Sequence, residues 1–382
     1  MNPLHILDHF KSRQDAIIES IREIVEIESP SGDIERSKTV VHWVETEARK
    51  IGLDLEIEKI AAEEYGEHLI IRAFPGEGKP IFLLGHTDTV HPVGTNLANP
   101  MRIEGDKFFG CGIFDMKANV VLMLEALRYF AESGSTPSRP ITILLSCDEE
   151  VGSYTGRELV EREASKSAFC CVFEPSAAGR VKTGRKGTGI FTVKAHGIPA
   201  HAGLEPEMGA SAILEISRQI EKLHALNNVS AGTTVNVCTA KGGTTTNVIP
   251  EHAECSVDVR FSTMDEAARI EAAILGLEPV DERVSLEILG GINRPPMERT
   301  DAVVALFEKA RVLADSFGYE LGETQVGGAS DGNFVAALGI TVLDGLGIAG
   351  DGAHTLHEHI LMSDIAQRAT LVSSLLETRS TS

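Results

Sequence analysis

The residues of this chain best equipped for chemistry stand where apolar runs stop. Ile81-Phe82-Leu83-Leu84 leads straight into Gly85-His86-Thr87-Asp88. Side chains two apart on extended backbone share a face, so Asp88 can orient the imidazole of His86, as carboxylates do for metal-ligating histidines. A strand-end His beside an unrelated Asp is the plainer reading of that motif alone. A second apolar run, 141–145, is followed by Asp148-Glu149-Glu150-Val151-Gly152. Three adjacent carboxylates repel one another unless a cation or solvent lies among them; a solvated acidic turn is the alternative. A third run, 169–173, ends in Glu174-Pro175, and the glycine-rich turn Gly110-Cys111-Gly112 precedes Asp115, which by itself reads as a helix N-cap. Far downstream, Gly352-Ala353-His354-Thr355-Leu356-His357-Glu358-His359 offers three histidines, each of which alone reads as a surface residue. Taken together, three strand ends bearing potential ligands, an acid-bearing glycine turn and a histidine cluster point to a metal centre.

The elements that must position these residues alternate in type. An amphipathic helix is marked by Ile17, Ile18, Ile21, Ile24 and Val25, and strands are expected at 68–74, 81–84, 141–145 and 169–173. Helical patterns at Ile34–Lys50 and over 116–132 lie between them, which implies an α/β domain with a mostly parallel sheet flanked by helices. Such sheets collect their sites at the carboxyl ends of strands. From about Gly187 the rhythm changes to strand 189–195, helix 208–224, strands 233–240 and 253–261, helix 264–275 and strand 284–289. That βαββαβ order is the ferredoxin-like split unit. After Pro295-Pro296 helices return at 301–317 and 360–378 around a strand at 340–343. The expected organisation is a discontinuous domain, 1–186 with 294–382, interrupted by an inserted domain, 187–293.

Composition narrows the function. At 382 residues the chain exceeds the size at which single cores tend to divide. No stretch reaches the ~20 apolar residues of a membrane span, and a net charge of −21 argues against a nucleic-acid or anionic-membrane partner. The first 15 residues, with His5, Asp8, His9, Lys11 and Arg13, lack the apolar core of a secretory signal, so a cytoplasmic location is expected. The six cysteines show no two-residue spacing of a thiolate zinc site and read as buried free thiols, Cys147 as strand packing.

Nearly the whole chain resembles the zinc-dependent aminoacylase and carboxypeptidase superfamily, most closely its glutamate carboxypeptidase branch. The resemblance is carried by Gly85 to Val90, Asp115, Asp148 to Gly152, Glu174-Pro175, Ala200-His201-Ala202-Gly203, Asn247 to Pro250 and the region from Gly327 to His354. It implies two Zn²⁺ per subunit, with Co²⁺ or Mn²⁺ as substitutes. Asp115 would bridge them, His86 and Glu174 completing one site and Glu150 and His354 the other. His357 and His359 compete with His354, which is preferred because relatives place the ligand shortly before an acidic residue, here Glu358. Glu149 would be the general base and Asp88 the partner of His86. His201, in a Gly-Ile-Pro-Ala-His-Ala-Gly turn, would donate a hydrogen bond to the oxyanion from the neighbouring subunit of a homodimer, making the inserted domain both lid and dimerisation surface. Asn247, Arg260 and Arg294 would meet the free carboxylate of a small-molecule or short-peptide substrate. Arg180 or Lys182 would face a side-chain carboxylate, although Val326 stands where glutamate-specific relatives carry a hydroxyl. The implied activity is a glutamate carboxypeptidase-like exopeptidase. An N-acyl amino acid or N-acyl diamino acid deacylase would share every ligand. A non-catalytic binding protein fits less well, because it would need neither Glu149 nor His201.

Overall fold

The computed structural model describes residues 3–377. The chain divides into two compact units: one comprises residues up to Gly184, Arg299–Gln325 and Ser330 onward, the other Arg185–Glu298 and Val326–Ala329. Ten strands carry the two main sheets: β1 (Glu56–Ala62), β2 (Gly66–Ala73), β3 (Ile81–His86), β4 (Ile141–Ser146), β5 (Phe169–Val172), β6 (Gly187–His196), β7 (Thr234–Gly242), β8 (His252–Phe261), β9 (Ser285–Arg294) and β10 (Val342–Leu343).

In the first unit the sheet order is β1-β2-β4-β3-β5-β10. The pairs β3/β4, β3/β5 and β5/β10 are parallel, whereas β1/β2 and β2/β4 are antiparallel, so the sheet is mixed. Every residue of β3 and β4 is buried, as expected of strands covered on both faces, and this is why they read as continuous apolar runs. The helices Pro3–Glu26, Ala118–Ser133 and Met362–Glu377 supply Ile17, Ile21, Leu122, Leu127 and Leu371 to the core that covers them. Because β4, β3 and β5 are parallel neighbours, their carboxyl ends lie side by side. The residues that follow them therefore meet at one edge of the sheet.

The helix expected from residue 116 begins at Ala118, after a tight turn at Ile113–Lys117. Gly112 opens that turn at φ +70°, and a Cβ there would stand 2.5 Å from Thr89 Cγ2, so only glycine fits. Asp115 thus lies ahead of the helix, and the capping reading does not apply. Two features escape the sequence periodicity. Strand β1 is an edge strand in which polar and apolar residues do not alternate, and a small sheet is built from Arg102–Glu104, Lys107–Phe109, Gly350–Asp351 and His359–Leu361, pieces too short to show a period. That small sheet places Phe109 opposite His359, drawing the segment around His354 to the turn that carries Asp115.

The second unit runs strand, helix, strand, strand, helix, strand, with sheet order β7-β8-β6-β9 and every neighbour antiparallel. Phe191, Val193, Ala195, Cys255, Val257 and Val259 point to one face and pack with Ile216, Leu223, Ile270 and Ile274 of the helices Ala212–Ala225 and Met264–Leu275. The first of these helices starts later than position 208 because Ser211 caps it, accepting from Leu214 N–H. All six cysteines are free, but Cys238, expected to be buried, is exposed because β7 is an edge strand. Among the described residues no helix is long and apolar enough to cross a membrane.

Candidate metal centre

His86 ends β3 with its ring buried. Its Nε2 lies 3.2 Å from Asp115 Oδ1 and 3.6 Å from Glu174 Oε1, the acid that follows β5. The other oxygen of the same aspartate, Asp115 Oδ2, lies 3.4 Å from His354 Nε2, which in turn is 3.1 Å from Glu150 Oε2. One carboxylate thus faces two separate pairs of potential ligands. The side chain of Glu149 groups with His86 and Glu174, ligand atoms all within 4.8 Å of one another, and His86, Asp115 and Glu150 form a second such group. His354 reaches the cluster with φ +65°, a left-handed conformation uncommon for residues with a Cβ. By contrast, His359 hydrogen-bonds the His357 carbonyl through Nδ1 and packs on Phe109, and His357 is exposed.

Asp88 acts differently from the simple expectation. His86 Nδ1 hydrogen-bonds the backbone carbonyl of Asp88 at 3.0 Å, closer than the carboxylate at 3.4 Å. The carboxylate instead accepts N–H bonds from Glu149 and Glu150 at 3.2 and 3.1 Å, and the Ser31 hydroxyl at 2.6 Å. It fixes the acidic turn as well as the histidine.

His201, Asn247, Arg260 and Arg294 lie in the second unit. His201, exposed, pairs with Val248, and the Ala202 N–H donates to the Asn247 carbonyl, so the His201 and Asn247 segments run side by side. Gly203 N–H donates to His201 Nδ1 at 3.1 Å, which leaves the proton of the neutral ring on Nε2 as a donor. Arg260 on β8 and Arg294 on β9 both register with Thr188 of the strand between them. Asp258 holds Arg260 through Nε and Nη2, at 2.9 Å each, while Arg294 is buried.

Residues 82–378 match the model of Peptidase family M20/M25/M40. The chain belongs to this family. It is similar to carboxypeptidase G2 of Pseudomonas sp. strain RS-16, 29% identical over 372 residues that cover 95% of this chain and 89% of that protein. Succinyl-diaminopimelate desuccinylase of Delftia acidovorans is 29% identical over 317 residues, 77% of this chain and 80% of that enzyme. Among solved structures, aminopeptidase PepT from Bacillus cereus superposes with a TM-score of 0.78 at 23% identity, covering 95% of this chain and 98% of that one. Membership makes the chain a metallopeptidase or related amidohydrolase.

The donor set of this M20-family hydrolase fits divalent cations. Burial alone would raise the Asp115 carboxyl, but hydrogen bonds from His354 and His86 hold it well below the usual carboxylate range. Hydrogen bonds to Asp115 and Glu150 push His354 up to about 10, and carboxylates raise His86 despite its burial. Burial raises Glu150, and its Oε1 is buried without a hydrogen-bond partner. Metal ligation requires deprotonated ligands, so cations entering this cluster displace protons from it. Cys147, two residues before Glu149, is buried against His68, and burial pushes its thiol well up, so it offers no nucleophile.

Glu358 was only a positional marker in the sequence, yet it organises the site. Its buried carboxylate accepts the N–H groups of Gly112, Phe114 and Asp115 at 2.9 Å each, and His91 Nε2 at 2.7 Å. Glu358→Gln turns one acceptor oxygen into a donor facing donors. It should weaken metal binding roughly 10–100-fold, the scale for partners that orient ligands. Competition with a chelating dye would measure this, and unchanged affinity would remove Glu358 from the support of Asp115.

Proposed function

We propose that this chain is a di-zinc exopeptidase of the carboxypeptidase type that cleaves the amide bond preceding a residue with a free carboxylate, glutamate first among them. The observation that carries this reading is the Asp115 carboxylate, whose two oxygens face His86 with Glu174 on one side and His354 with Glu150 on the other. These five residues would hold the ions, Zn²⁺ by the imidazole and carboxylate donors, with Co²⁺ or Mn²⁺ as substitutes. When bound, the ions supply Lewis acidity toward the scissile carbonyl and the attacking water. Glu149, which lies outside the ligand set, takes the water's proton on its carboxylate and delivers it to the leaving nitrogen. Asp88 keeps that turn in place. His201 of the partner subunit donates its Nε2 proton to the oxyanion.

The first unit would be the catalytic domain, and the second a ferredoxin-like lid through which two copies pair. Support for pairing comes from the open edge of β7 and the exposed apolar side chains Leu204, Met208, Ile213 and Leu214 in the same unit. Asn247, Arg260 and Arg294 would receive the substrate carboxylate. Asp258 occupies Nε and Nη2 of Arg260 and leaves Nη1 for such a partner. The likeness to a succinyl-diaminopimelate desuccinylase supports a second reading, a deacylase of N-acyl amino or diamino acids on the same site.

Kinetics on zinc-loaded enzyme with N-acyl-glutamates and their α-amides test the carboxylate requirement. Amidation is expected to cost about 2 kcal/mol, roughly thirtyfold in kcat/KM, because it removes the substrate charge that the two guanidinium groups would meet. Equal turnover of acid and amide, with Arg294→Ala silent, would defeat it.

A further inference from the structure

We infer that His196 and His252, on the second unit's sheet, form a separate zinc-type metal site independent of the proposed catalytic centre. The two residues are direct cross-strand partners on β6 and β8. Alternation along both strands puts them on the face opposite the helix-packed Val193 and Cys255. Their Nδ1 atoms face each other at 3.3 Å. Each outer nitrogen has a carboxylate beside it: Glu287 is 3.6 Å from His196 Nε2 and Glu251 is 3.7 Å from His252 Nε2.

That arrangement has a specific electrostatic consequence. The flanking carboxylates favour the proton on each Nε2, the position a metal-ligating histidine uses to address its orienting partner. Both Nδ1 lone pairs then point at one another, and only a shared proton or a cation relieves them. The spacing selects among cations. With Zn–N bonds of about 2.0–2.1 Å, two ligands of a tetrahedron lie about 3.3–3.4 Å apart, whereas adjacent ligands of a square plane lie at about 2.9 Å. The observed 3.3 Å matches the tetrahedral ion.

The surroundings are reachable and mixed in charge. Both rings are solvent-accessible and form part of the wall of a cavity of ≈ 660 Å³. Lys194, 3.4 Å from Glu287, and Lys241, 3.0 Å from Glu254, bring two positive charges against the three carboxylates Glu251, Glu254 and Glu287. Two protein nitrogens leave two coordination positions open toward the cavity, so the ion would take a further donor from solvent or from a molecule bound there.

Zn²⁺ titration of the full-length protein by calorimetry, with elemental analysis of the saturated samples, tests this. His252→Ala and His196→Asn should each bind one equivalent less than the unsubstituted protein while hydrolysing substrate at the same rate. Glu287→Gln should retain that equivalent but bind it roughly 10–100-fold more weakly. Equal zinc stoichiometry in the unsubstituted protein and both histidine variants would overturn the site and leave the pair as a hydrogen bond. Because the readout is the difference in stoichiometry, it stands or falls separately from the catalytic assignment, which loses activity rather than this equivalent.

Discussion

Glu149→Gln should retain both catalytic metal equivalents while turnover falls roughly 10²–10⁴-fold, the scale for losing a general base. Glutamine keeps the length and shape of the side chain, and the backbone N–H that anchors residue 149 to Asp88 is untouched. What disappears is the ability to accept a proton. The test also separates two roles that geometry alone leaves adjacent, since Glu149 groups with His86 and Glu174 as readily as a ligand would. Elemental analysis beside kinetics decides between them. Loss of one metal equivalent would make Glu149 a ligand, and near-normal turnover would remove it from the chemistry.

His201→Ala should lower kcat roughly 10²–10³-fold, the scale for removing one oxyanion donor, with metal content unchanged. The hydrogen bond from Gly203 N–H to Nδ1 sets the ring to present Nε2–H, so the substitution deletes a prepared donor. If the donor comes from a second copy, mixing His201→Ala subunits with Glu149→Gln subunits should restore part of the activity that neither has alone. Each mixed dimer then contains one site with both groups intact. A fully active monomer, or mixtures no better than their components, would contradict donation across subunits.

Legibility in the sequence followed the length and regularity of the elements. β3, β4 and β5 could be read because strands buried on both faces are unbroken apolar runs, and the polar residues that stop them stand out. Their parallel pairing then places His86, Glu150 and Glu174 at one edge, with no further information needed. Asp115 and His354 are different. They reach the cluster through strands of two or three residues and a turn that depends on Gly112, features without a period. The glycine turn and the histidine cluster marked their segments, but only resemblance to a family gave Asp115 its bridging place and preferred His354 over its neighbours. Glu358 and the anchoring role of Asp88 were hidden for another reason: both act through backbone N–H groups, which any sequence supplies. The edge strand β1 escaped because its polar and apolar residues do not alternate and only Ala62 is buried.

The central claim is that Asp115 joins two metal ions held by His86 with Glu174 and by Glu150 with His354. Anomalous diffraction at the zinc edge, from crystals of zinc-loaded protein, tests it most directly. The account predicts two peaks at the cluster, one on each carboxylate oxygen of Asp115. A single peak there, or two peaks with neither touching Asp115, would contradict it.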